Sequence, residues 1–190
     1  MARLCVLRED LYIELRGMVH EPIPSLDECS SETREIYFFR NCVKTLLEIR
    51  GASETMKRNS EFVEMLSRQD SPLDNSLSDL SKALTDAHTL VKRLRNDVAG
   101  HLSHEAVHTA LQQITPETKC LFQIGDTPRD THFKFALELI GATMLCHVPF
   151  KEADKEWSET LETILGIGFN AIRSIDALFI AYANIRNLSI

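Results

Sequence analysis

The chain predicts an all-α protein, an up-and-down helical bundle with one small inserted β-hairpin. Three observations predict it. Helix breakers are sparse, with 7 Gly and 6 Pro in 190 residues. One segment carries a sustained heptad stripe, Leu77, Leu80, Leu84, Ala87, Val91, Leu94 and Val98, at alternating gaps of three and four. Residues 119–124 have no helical period and read as a strand, and turn chemistry follows them, Gly125-Asp126-Thr127-Pro128.

The elements follow in order. Residues 4–19 read as a first helix, with Leu4, Leu7, Leu11, Leu15 and Met18 on one face. Pro22, Pro24 and the Ser, Asp and Glu around them make residues 21–31 a loop. A second helix spans 33–57, its apolar face Ile36, Phe39, Val43, Leu46 and Leu47. No capping box starts it, because Ser30 is followed at the required spacing by Thr33 and Ser31 by Arg34. Either serine alone can cap. Phe62, Val63, Met65 and Leu66 form a short helical piece that Ser71-Pro72 ends. The heptad helix comes next. Residues 105–114 continue as helix until Thr115-Pro116. Residues 119–124 and 131–135 are the two strands of the hairpin. Helix returns over 136–148, Pro149 interrupts it, and a last long helix covers 152–187. Its expected inner face is Leu161, Leu165, Ile172, Ile175, Phe179 and Tyr182, with Gly166 and Gly168 as a kink or close-packing point. The expectation is one domain over 1–190, with the bundle core in about 31–115, the hairpin in about 119–135 and the C-terminal helices in 136–187.

Charge and cysteine content narrow the function. The formal net charge is −7, which argues against a broad, sequence-blind nucleic-acid surface but leaves room for a small basic pocket. The arginines read as scattered rather than massed. Five cysteines without a CxxC pair suggest reduced thiols rather than a disulfide framework. Arg8, Glu9, Asp10 and Glu14 interrupt any secretory layout in residues 1–20. The apolar segment 161–185 carries Glu162, Asn170, Arg173 and Asp176, which a membrane span rarely tolerates. A cytoplasmic protein with no membrane partner is expected.

The chemistry concentrates in Arg95-Asn96-Asp97-Val98-Ala99-Gly100-His101, where the heptad helix ends. An arginine clamps a phosphate with two parallel hydrogen bonds. A histidine moves a proton near neutral pH. Six residues of unbroken helix turn through about 600°, leaving Arg95 and His101 about 120° apart. They converge only if the helix ends or bends between them, or if a partner subunit supplies one of them. Gly100 is a break of that kind. In RNA the 2′-hydroxyl is a built-in nucleophile, so His101 suits proton transfer and Arg95 the phosphate's developing charge, with Asn96 orienting either group. A surface arginine followed by an ordinary helix cap is the plain alternative.

Arg95-Asn96 followed by Gly100-His101, with five residues between the Arg and the His, resembles the HEPN superfamily in its RN…GH form. The preceding heptad helix is similar as well, and the likeness in organisation covers about residues 30–115. The resemblance implies a four- to five-helix bundle that forms a homodimer, bringing the Arg and His of both subunits into one cleft. It implies a metal-independent endoribonuclease without a cofactor, often a toxin opposed by a cognate antitoxin protein, with RNA as substrate. Other members of that superfamily are catalytically silent binding modules.

A rival motif follows directly. His104-Glu105-Ala106-Val107-His108 spells a zinc-hydrolase signature, with His104 and His108 on one helix face. The extended form needs Gly and His further along, where Leu111 and Ile114 stand instead. His132 and His147 read as ordinary histidines, and Trp157 as a cover for a neighbouring element.

Overall fold

The computed structural model describes residues 1–19, 28–67, 72–99, 103–113, 122–123, 132–145, 148 and 152–187. Eight α-helices lie among them: α1 (Ala2–Val19), α2 (Glu28–Lys57), α3 (Ser60–Ser67), α4 (Pro72–Asp86), α5 (His88–Leu94), α6 (His104–Gln113), α7 (Lys134–Met144) and α8 (Ala153–Ile185). A π-helical turn, Arg95–Ala99, extends α5. Two two-residue strands, β1 (Phe122–Gln123) and β2 (His132–Phe133), pair antiparallel with Phe122 opposite Phe133. The turn expected at 125–128 and the Thr115-Pro116 stop lie outside the described residues.

The heptad stripe builds one wall of a helical bundle. Leu77, Leu80, Leu84, Val91 and Leu94 are all buried. α4 and α5 form one rod, because the ladder continues across the joint: Ala87 N–H donates to Ala83 O at 3.1 Å and Val91 N–H to Ala87 O at 3.0 Å. Pro72 is its first helical residue, where a missing N–H costs nothing. The rod, α1, α2 and α8 surround the core, with α1 touching α2 and α8, and α4 touching α2 and α8. α6 and α7 pair with each other, and α7 rests on α2 and the π-turn.

The core therefore extends beyond residues 31–115. Leu4, Leu11 and Leu15 of α1 and Ile164, Ile175 and Leu178 of α8 join Phe39, Val43, Leu46 and Ile49 of α2 in a single cluster. α1 and α8 run antiparallel in close contact. A Cβ on Gly168 would lie 2.8 Å from Leu15 Cδ2, and Arg8 grips Asp176 with two bonds, Nε to Oδ1 at 2.8 Å and Nη2 to Oδ2 at 3.0 Å. Trp157 covers Phe39, ring centroids 4.9 Å apart.

Several expectations need correction. α2 starts at Glu28, inside the expected loop, since Pro24 is the last strong breaker before it and Ser, Asp and Glu carry only a modest helical penalty. α3 begins at Ser60, capped by Asn59, whose Oδ1 accepts the Phe62 N–H at 2.9 Å. The return strand stops at Phe133, and Lys134 already opens α7. The inner face of α8 holds Ile172 and Ile175 as expected, with Leu161 and Leu165 partly buried against the core, but it is broader on one side and ends short of Phe179. Ile164, Ala171 and Leu178 are buried, whereas Phe179 is 39% exposed. Gly168 lies on this side, where the lack of a side chain leaves room for Leu15 of α1.

Candidate functional site

The core stripe decides which side chains of the rod face water. With Leu84, Val91 and Leu94 turned inward, the flanking row Thr85, His88, Lys92 and Arg95 runs along the outside at gaps of three, four and three. Lys92, Arg95 and Asn96 are exposed, and His88 is half-buried. At the end of the row the helix widens. The Arg95 N–H is shared between Lys92 O and Val91 O, and the five residues Arg95–Ala99 take π-helical form. Such insertions add a residue to the turn and recur at functional positions. Here the wider turn leaves Arg95 and Asn96 in solvent and Asp97 half-buried against the bundle.

The chain closes on itself just beyond. Asp97 O accepts the Ser103 N–H at 3.3 Å, across residues 98–102. Ser103 then caps α6, its Oγ accepting the Ala106 N–H at 3.4 Å. The rod thus ends at Ala99, and a separate helix begins at His104. Gly100 and His101 lie outside the described residues. The structure consequently gives the Arg95-Asn96 half of the motif, and the approach of His101 to Arg95 lies outside the described residues.

Some cations of the molecule are ion-paired, while others, Lys57, Arg58, Lys82 and Arg173 among them, have no ion-pair partner among the described residues. Arg3 pairs with Glu48, Arg8 with Asp176, Arg50 with Glu54 and Lys155 with Glu159. By contrast, the His88, Lys92 and Arg95 side chains have no hydrogen-bond or ion-pair partner among the described residues. Arg93, on the adjoining row, is half-buried with a buried Nε that finds no acceptor. Residues 87–96 hold three cations and a histidine and no carboxylate. The chain's negative total is therefore reversed locally. Lys82 does not share the feature, because Asp79 and Asp86 flank it one turn away on each side. Counting arginines alone hid this cluster from the sequence reading. The signal was the spacing of His88 and Lys92 to Arg95, seven and three residues, which places all three on one helix face.

His104 and His108 stand exposed on α6, whose Ala106 and Ala110 face inward. The His108 Nε2 is 3.0 Å from the Gln112 amide nitrogen. Among the described residues no group of three His, Cys, Asp or Glu side chains is placed to hold a metal ion. Two concavities open elsewhere: one of about 350 Å³ bounded by Met1, Met56, Phe62, Met65, Tyr182 and Arg186, the other of about 380 Å³ beside Lys57, Val63 and Leu77. Neither is lined by Arg95, Asn96, His104 or His108.

A scan of family models finds no match to this chain, and neither the curated proteins nor the solved structures give one.

Proposed function

We propose that this helical bundle is a HEPN-like, metal-independent endoribonuclease acting in the cytoplasm as a homodimer. The observation that carries the reading is Arg95: an exposed guanidinium without a side-chain partner among the described residues, at the first residue of a π-helical turn, six residues before His101. A solvated, unpaired fork of N–H donors is in the state a phosphate needs. In the reaction, the 2′-oxygen attacks the neighbouring phosphorus and the P–O5′ bond breaks. A His101 imidazole takes the 2′-hydroxyl proton, and the His101 of the twin subunit gives a proton to the departing O5′. Arg95 holds the non-bridging oxygens as their charge grows, and Asn96 orients the phosphate. The products are a 2′,3′-cyclic phosphate and a 5′-hydroxyl. A cognate antitoxin would act by covering Arg95.

The test uses the purified full chain, single-stranded RNA and a chelator. We expect cyclic-phosphate ends, lost by about 100-fold or more in Arg95→Ala and His101→Ala. RNA that survives equally in the original chain and in Arg95→Ala overturns the proposal. One observation favours a second reading, that of a silent binding module. Arg95 stands on an open helix surface, away from both concavities, where an RNA could be held without being cut.

A further inference from the structure

A phosphate chain lying on the rod must meet whatever flanks Arg95. Toward the N-terminus of α5 it meets Lys92 and then His88, on the same face and spaced by three and four residues. At 1.5 Å per residue this row is about 10 Å long. Thr85 and Thr89 add hydroxyls, and Asn96 adds an amide at the far end. Ammonium, guanidinium, hydroxyl and amide groups are the donors that contact phosphate and sugar oxygens.

We infer that the outer face of α5, His88 and Lys92 leading to Arg95, is a backbone-binding track for single-stranded RNA that reads no sequence. The inference rests on the nucleolytic reading for its choice of ligand, and the residues it adds, His88 and Lys92, are outside the proposed catalytic set. Three features select this ligand. No carboxylate lies between residues 87 and 96, and the His88, Lys92 and Arg95 side chains have no partner among the described residues, so an approaching anion displaces no described contact. The face carries no exposed aromatic or large apolar side chain, whereas a protein partner would be anchored by such residues and a membrane would need them for insertion. With no Phe, Tyr or Trp on which to stack a base, the grip falls chiefly on the backbone, and sequence has little influence. The row is also short and straight, which suits an extended strand better than a duplex whose second backbone would find no basic row on this helix.

The test is binding of a fluorescent 2′-O-methyl oligoribonucleotide to the full chain, followed by anisotropy over a range of salt concentrations. The blocked 2′-oxygen prevents cleavage, so binding is read alone. We expect affinity to fall linearly on a logarithmic salt plot, with the slope reduced by about 0.7 in Lys92→Gln and the affinity lowered in His88→Gln. Circular dichroism confirms that these surface variants stay folded. Homopolymers of different base should bind within a few-fold of one another. An unchanged slope in Lys92→Gln overturns the track, as does equal competition by an acidic peptide or by anionic lipid vesicles. Binding that behaves as expected while all-ribose RNA stays intact upholds the track and rejects the nuclease. Cleavage with unchanged salt slopes does the reverse.

Discussion

Two glycines in α8, two residues apart, face opposite consequences. At Gly168 an added Cβ would lie 2.8 Å from Leu15 Cδ2 and 3.0 Å from Cδ1. Leu15 is fully buried and has nowhere to go. At Gly166 a Cβ would meet nothing within 4 Å. Gly168→Ala should therefore cost about 1–3 kcal/mol through overpacking, and Gly166→Ala should stabilise by about 0.5–1 kcal/mol through helix propensity. Denaturant midpoints of the two variants check the pair, and a shift of the same sign in both contradicts the packing. Glu14 is the other residue with a readable consequence. Its Oε1 accepts the Thr45 hydroxyl at 2.9 Å, while Oε2 is buried without a partner. Burial pushes its carboxyl up to about 7; the Thr45 hydrogen bond opposes this, nearby Asp10 adds to it and Lys44 opposes it. The folded state thus binds this proton more tightly than the unfolded chain does. Its contribution to stability is fully present below the ordinary value of 4.5 and is lost as pH rises through about 7. Glu14→Gln should remove that decline and be the more stable protein at pH 8 by about 1–2 kcal/mol, once the partial contact of the side chain with water is counted. Parallel stability curves for the two proteins between pH 5 and 8 would refute it.

Among the elements, the heptad rod was the most legible. Its spacing placed Leu77, Leu80, Leu84, Val91 and Leu94 on one face, and all five are buried. Leu84→Ala should cost about 2–5 kcal/mol, and Thr85→Ala, one residue on and exposed, should lie within about 0.5 kcal/mol of the original chain. Comparable losses in thermal unfolding would mean that the rod packs in another register. Other elements were less legible, for physical reasons. The extra breadth of the α8 face lies where Gly168 leaves room for Leu15 of α1, which a count of apolar residues cannot weigh. The stop of α8 was legible, and Asn187 takes a left-handed φ of 52° there. In the candidate site, Arg95 and Asn96 were singled out by residue type, but the π-turn was not foreseeable. An inserted residue leaves no mark on sequence period when only one turn is affected. His88 and Lys92 are separated from Arg95 along the chain and join it only on the helix face, which linear charge spacing does not display.

The whole molecule turns on α8, which carries an 18-residue window of mean hydropathy 1.6 and is long and apolar enough to cross a membrane by length and composition. Packing offers a different account of that apolarity. One side of α8 supplies Ile164, Ala171, Ile172, Ile175 and Leu178 to the core. Withdrawing α8 into lipid would strip cover from Leu4, Leu11 and Leu15 and leave Arg8 without the carboxylate of Asp176. At roughly 1.5–3 kcal/mol for each large side chain uncovered, that loss exceeds the few kcal/mol by which a domain of this size is stable. The outer side keeps Phe169, Phe179 and Ile180 partly exposed, at 43%, 39% and 51%. Near them on the helix stand Arg173, which is exposed, and the ion-paired Asp176, and charges at that depth oppose insertion. The full chain, mixed with neutral phospholipid vesicles and centrifuged under a density gradient, should therefore remain with the protein fractions and not float. Flotation that survives high salt would show that α8 leaves the bundle for the bilayer, and the core drawn around it would have to be abandoned.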